Sequence, residues 1–295
     1  MPAASDYHVP VLLKEAIDLL KVAPGKKYID ATLGGGGHSK EILNRGGELL
    51  AIDRDPEAVK HFQNYLKSAC PASLPKLSWG NFEEIDKFAQ EQGFERVDGI
   101  LFDLGVSSHQ LETPERGFSF TAPLPLDMRM DPRLALSAKD LINVLNEGEL
   151  YELFTKLGEE EHSRRFARAI CRARGVKPIE TCAQLAEIIA KAAPGRGRLH
   201  PATKVFQALR IAVNDELNSL KAALPKALEI LNPKGRIVII SFHSLEDRIV
   251  KDFFQEQEAS GKLTILTKKP IVPSIEEVEQ NPRARSAKLR SAERV

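Results

Sequence analysis

The chain has 295 residues, enough for one large domain or two modest ones around a substantial buried core. Its 42 Lys and Arg balance 41 Asp and Glu, which excludes a globally basic nucleic-acid coat, so any polyanion must be met by local patches. Cys70, Cys171 and Cys182 form no CxxC pair and are odd in number, which argues against a disulfide frame or a zinc site and for a reducing compartment.

No signal-peptide pattern and no apolar run near the ~20 residues of a membrane span is visible, so a soluble cytoplasmic protein is expected. Residues 9–20 carry a helical apolar stripe, with Pro10 tolerated in the first turn. A strand over 27–33 leads through glycines 34–37 into a helix over 38–45, and a second strand covers 48–53. Pro56 opens a helix to about 69, 77–82 reads as a third strand, and a helix over 83–92 closes on Gly93. The fourth strand, 97–106, is apolar enough to be buried on both faces. Alternating strands and helices of this kind predict an α/β fold with a doubly wound, mostly parallel sheet.

Between 111 and 203 the strand signal disappears. Helical patterns near 138–157, 159–174 and 181–193 predict a helical insertion, so that 1–110 and 204–295 form the core and 111–203 a second domain. On the middle helix Arg164, Arg168 and Arg172 recur every four residues, either as a solvated face or as one that tracks phosphates. A long helix, 202–231, precedes a fifth strand over 235–244. A helix over 246–257, strands near 263–266 and 287–293, and a basic helix-free loop over 281–288 complete the chain.

Four consecutive glycines cost backbone entropy, so a strand ending in them before a helix marks either a ligand cradle or a flexible surface loop. The cradle is favoured by Asp53, which ends the next strand about 20 positions on, the spacing of a carboxylate that grips a ribose. Gly34, Gly36 and Ser39 break the G-x-G-x-x-G spacing of dinucleotide enzymes, and Asp30 at the loop's start suits a cationic ligand better than a diphosphate. S-adenosylmethionine, with an ammonium, a sulfonium and a ribose, fits those charges; a nicotinamide enzyme is the alternative. Glycines 34–37, Asp53, Phe82 and Asp103 all fall at the carboxyl ends of predicted strands.

Several blocks then carry a resemblance. Asp30-Ala31-Thr32-Leu33-Gly34-Gly35-Gly36-Gly37-His38-Ser39, Asp103-Leu104-Gly105-Val106-Ser107-Ser108, Arg116-Gly117-Phe118-Ser119-Phe120 and Asp127-Met128-Arg129-Met130-Asp131 occur in order. Phe206-Gln207-Ala208-Leu209-Arg210, Ser241-Phe242-His243-Ser244-Leu245-Glu246 and Asn281-Pro282-Arg283-Ala284-Arg285-Ser286 follow. Together they resemble the bacterial 16S ribosomal RNA (cytosine-N4) methyltransferases of the MraW family. The resemblance implies a class I, Rossmann-like methyltransferase core with S-adenosyl-L-methionine as cofactor. It also implies 16S rRNA in the small ribosomal subunit as partner, with a decoding-centre cytosine as target. Carried over by position, the cofactor contacts would be Gly36, Gly37, His38, Asp53, Phe82, Asp103 and Gln110.

Within that frame Asp103, Ser107 and Ser108 are candidates to orient the amine, and His243 either to deprotonate it or to cap the helix that follows. Arg116, Phe118, Arg129, Arg164, Arg168, Arg172, Arg283 and Arg285 are candidate RNA contacts. Phe118 has core packing as its alternative, and Arg129 an internal pair with Asp127. No ligand cluster calls for a metal, and a homodimer is compatible with the sequence.

Overall fold

The computed structural model describes residues 10–69, 74–107, 110–111, 113–119, 124–195 and 200–295. Its contacts define two compact units, Met1–Ser108 with Leu217–Val295, and His109–Glu216. The first holds strands β1 (Lys27–Asp30), β2 (Glu48–Asp53), β3 (Lys76–Trp79), β4 (Val97–Asp103), β5 (Leu231–Ser241), β6 (Leu263–Ile265) and β7 (Lys288–Arg294). They make one sheet in the order β3-β2-β1-β4-β5-β7-β6. β1 to β5 run parallel, and β7 pairs antiparallel with both β5 and β6.

Helices cover both faces of this sheet, which is why its strands read as unbroken apolar runs. They are α1 (Leu13–Leu20), α2 (Gly37–Asn44), α3 (Pro56–Ala69), α4 (Ile85–Gln92), α10 (Glu216–Ile230), α11 (Ser244–Ala259) and α12 (Ile275–Gln280). Ile29, Leu50, Ile100, Phe102 and Ile239 join one core cluster with Phe88, Leu224 and Phe254. Their strand neighbours Tyr28, Leu49, Leu101, Val238 and Ile240 join the other, with Ile17, Ile42 and Phe62. Successive side chains go to opposite faces, and neither face is left to solvent.

β1, β2 and β4 lie side by side, and each ends on an aspartate: Asp30, Asp53 and Asp103. The strand order reverses between β1 and β4, the point at which open α/β sheets bind ligands outside their carboxyl ends. β1 stops three residues short of its predicted end, because Asp30 Oδ1 accepts the amide hydrogen of Thr32 (3.1 Å) and turns the chain.

The second unit is helical: α5 (Ala138–Val144), α6 (Glu147–Gly158), α7 (Ser163–Arg174), α8 (Cys182–Ala192) and α9 (Thr203–Asn214). Leu150, Phe154, Phe166, Ile170, Leu185, Ile189 and Leu209 are among its buried residues at helical spacing. Two of the predicted helices are each broken in two. The one over 138–157 ends at Val144 because the Asn146 side chain accepts from Glu149 N and starts α6. The one over 202–231 breaks at Asp215, in the left-handed region at φ 47°.

α9, assigned by sequence to the core, groups instead with 109–216, because it packs on α6 at Gly158, where an added Cβ would lie 2.7 Å from the Lys204 carbonyl oxygen. Asn214 then pins the irregular segment before α5, accepting from Met130 N (2.8 Å) and donating to Met128 O (2.7 Å). The basic loop predicted free of helix contains a 3-10 turn, Pro282–Ser286, capped by Asn281. Among the described residues no helix is long and apolar enough to cross a membrane.

Candidate active site

The glycine turn requires its glycines at particular positions. Gly34 (φ 48°) donates its N–H to Asp53 Oδ2 at 2.7 Å. Gly36 (φ 74°) is the N-cap of α2, and a Cβ there would lie 2.4 Å from the buried Phe62 ring. At Gly37 a Cβ would lie 2.7 Å from Pro10. The chain therefore comes closer to its own core than any side chain allows, and leaves backbone facing the strand ends.

Asp53 also accepts the N–H of Asp55 at 2.8 Å, which leaves lone pairs on both oxygens for a further donor. Burial pushes its carboxyl up to about 6 against these bonds. Phe82 opens the 3-10 turn after β3, edge-on to Phe102 at 5.7 Å, with the Arg54 guanidinium 5.3 Å above its ring. Arg54 in turn donates to Asn81 Oδ1 (2.8 Å), which caps that turn.

Asp30 and Asp103 form the second half of the site. Asp30 is 2% exposed; it accepts from Ser39 Oγ (2.7 Å) and Thr32 N, and burial raises it to about 6. The Thr32 hydroxyl accepts from Asp103 N at 2.6 Å and so ties the two strand ends together. Burial, then the charges of Asp30 and Glu246, hold Asp103 well above the ordinary carboxylate range. Its Oδ2 lies 3.5 Å from His38 Nδ1, and its Oδ1 is buried without a hydrogen-bond partner among the described residues. An unpartnered buried carboxylate oxygen is costly unless a donor or cation arrives to meet it. The residues therefore fit a ligand with a positive end and a ribose, and fit a diphosphate poorly.

Of the carried-over cofactor positions, the first unit brings together Gly36, Gly37, His38, Asp53, Phe82 and Asp103. Gln110 belongs to the second unit, where it is buried. Ser107 sits against the glycine turn: its Cβ is 3.7 Å from where one on Gly34 would stand. Ser108 lies outside the described residues. His243 caps α11: its Nδ1 accepts from Glu246 N (3.4 Å), Nε2 is 3.2 Å from Glu246 Oε1, and Glu246 Oε2 accepts from Phe242 N (2.8 Å). That is the capping alternative, and it turns both ring nitrogens toward Glu246.

The candidate RNA contacts divide. Phe118 is 8% exposed, which favours its core-packing alternative over stacking on a base. Arg116 Nη2 donates to the carbonyls of Arg129 (3.3 Å) and Met130 (2.9 Å). Arg129 forks onto Asp127 (2.9 and 2.8 Å) and donates to Leu134 O, so both arginines brace the irregular segment. Arg164, Arg168 and Arg172 are exposed and, with Arg165, line a surface cavity of about 550 Å³. Arg283 and Arg285 are exposed beside the Pro282–Ser286 turn. Sequence reasoning passed over Thr32 and Arg54 as site residues; their places directly after Ala31 and Asp53 at two strand ends were the available signal.

A parallel sheet that reverses order between β1 and β4, takes an antiparallel β7 beside β5, and sets three acids around a glycine turn is a class I methyltransferase core. The MraW methylase family profile matches residues 5–295, and the chain belongs to that family. Proteins called "Ribosomal RNA small subunit methyltransferase H" are similar along almost their whole length. That of Carboxydothermus hydrogenoformans is 48% identical over 306 residues, covering 98% of each chain. That of Thermomicrobium roseum is 48% identical, covering 99% of this chain and 94% of the other. That of Brevibacillus brevis is 45% identical, with both chains covered completely.

Proposed function

We propose that this protein transfers a methyl group from S-adenosylmethionine to N4 of the decoding-centre, P-site cytosine of 16S rRNA in the small ribosomal subunit, in the cytoplasm. The full-length likeness to small-subunit rRNA methyltransferases supports the substrate class. The single observation that carries the chemistry is the unpartnered Oδ1 of Asp103, buried at the carboxyl edge of β4.

The bound donor supplies an electrophilic methyl carbon; this chain's residues bind, align and take a proton. Asp53 accepts from the ribose hydroxyls while its two backbone bonds hold it in place. The turn at residues 34–37 admits the donor against bare backbone, and Phe82, clamped between Phe102 and Arg54, offers a rigid apolar wall. The N4 lone pair of cytosine is delocalised into its ring, so an acceptor on the amine hydrogens, at Asp103 or Ser107, holds the nitrogen in line and pyramidal. The proton that N4 loses on methylation would go to a carboxylate at this edge. Small subunits lacking the modification, incubated with methyl-labelled donor, should take up label in RNA; label confined to protein, or none, overturns the reading.

Asp53→Ala should weaken donor binding by about 1–3 kcal/mol, because hydroxyl groups lose a charged acceptor. In the parent the same affinity should fall as pH drops through about 6, where the Asp53 carboxyl takes up a proton and ceases to be an anionic acceptor. Calorimetry across pH 5–8 measures both; equal affinity in mutant and parent removes Asp53 from the ribose.

The second unit is the RNA-recognition domain in this account, through the exposed face of α7. Arg168 has one exposed partner, Glu147 at 3.3 Å, and Arg164 lies over the Tyr151 ring, so phosphates can displace both at little cost. Changing Arg164, Arg168 and Arg172 together to Gln should leave donor affinity intact, weaken RNA binding and reduce its salt slope by about 3. An unchanged salt slope makes this a solvated face.

A further inference from the structure

His38, one of the carried-over cofactor positions, has its side chain turned into the protein. It is 4% exposed, and its Nε2 lies 3.2 Å from the carbonyl oxygen of Val11. A carbonyl oxygen only accepts, so Nε2 carries a hydrogen, and Nδ1 is left facing Asp103 Oδ2 at 3.5 Å. If Nδ1 were bare and Asp103 ionised, two lone-pair donors would confront each other in a buried site. One additional proton, on either atom, turns that confrontation into a hydrogen bond or an ion pair.

The other charged groups that face Asp103 are Asp30 from β1 and Glu246 from α11, both acids. Neither offers a positive charge, so among the described residues a proton is what can relieve the carboxylate. The remaining oxygen, Oδ1, has no hydrogen-bond partner among the described residues.

We propose that His38 is a positioning residue: it shares one proton with Asp103 in the free enzyme, and that proton leaves when the cationic end of S-adenosylmethionine reaches Asp103. The inference rests on the cofactor reading above. A positive group at Oδ1 does for the carboxylate what the proton did, so the pair no longer needs it. The proton passes to the buffer, Asp103 remains as the anion, and His38 keeps its Nε2–H bond to Val11. No other bond changes. His38 therefore acts on the donor through Asp103, by fixing where the carboxylate stands and when it is charged.

The test is calorimetric titration with S-adenosylmethionine at pH 7.5, in phosphate and in Tris, whose ionisation heats differ. At that pH Asp30 and Asp53, which titrate at about 6, are already ionised and release little. The parent should release about half a proton or more per donor bound, with affinity rising at most tenfold per pH unit. In His38→Gln a neutral amide donates to Asp103, so the release should vanish and the affinity become flat between pH 7 and 8.5. His38→Asn repeats the measurement if the Gln variant does not fold, and the parent's count stands without either. Binding in the parent with equal heats in both buffers overturns the proposal, as does undiminished release from a folded His38 variant. Absence of any binding in the parent overturns the cofactor reading beneath it.

Discussion

Asp103→Asn is expected to lower methyl transfer to small subunits on the order of a hundredfold while the protein melts at or above the parent temperature. The two effects separate because the carboxylate is an expensive group that the fold does not need. It sits at the end of a strand buried on both faces, one oxygen lacks a partner among the described residues, and its charged surroundings include the acids Asp30 and Glu246. Asn keeps the size, and the backbone N–H still reaches Thr32 Oγ1, so the link between β4 and the turn after β1 survives. On the proposed function, what disappears is the charge that aligns donor with acceptor, and misalignment at a displacement centre costs rate. Assays at saturating donor, beside a melt of the same sample, give both numbers. Parental turnover in a normally folded mutant would leave Asp103 as a strand-end residue only.

Gly36→Ala should be the most damaging change in the turn, destabilising the protein by about 3 kcal/mol or more and abolishing donor binding. Two costs add. The backbone angle, φ 74°, charges any L-residue about 1–2 kcal/mol. The new methyl would then meet Phe62 at 2.4 Å, and that ring, on the inner face of α3, is fully buried in the core. Gly93 supplies the control. Its φ is 76°, yet nothing lies within 4 Å of an added Cβ, so Gly93→Ala carries the dihedral cost alone. Denaturant melts of the two mutants separate the terms; equal losses would mean that Phe62 yields and the turn is roomier than its geometry indicates.

Much of the core was legible because doubly buried strands leave an unmistakable mark. The runs in β2, β4 and β5 read as strands on apolar content alone, and the acids that stop them, Asp53 and Asp103, marked the binding edge. Local signals failed where a distant partner decides. No spacing ties His38 to the Val11 carbonyl and the Asp103 carboxylate at once, and that pairing carries the role proposed for it. Phe118 in a polar, Arg-rich stretch looks available to a base, but it is buried in the folded chain, which no local pattern announces. The break at Asp215 is likewise invisible to periodicity, since residues on both sides continue a helical stripe.

On the proposed function, the methyl group goes to the exocyclic nitrogen of one cytosine. The most direct measurement is nuclease mapping of small-subunit RNA labelled by this enzyme, followed by digestion to nucleosides and mass spectrometry. The expected result is N4-methylcytidine as the labelled nucleoside, confined to one P-site position and absent when Asp103→Asn replaces the parent. Label in a ring-carbon-methylated cytidine, in another base, or spread over many sites would contradict it.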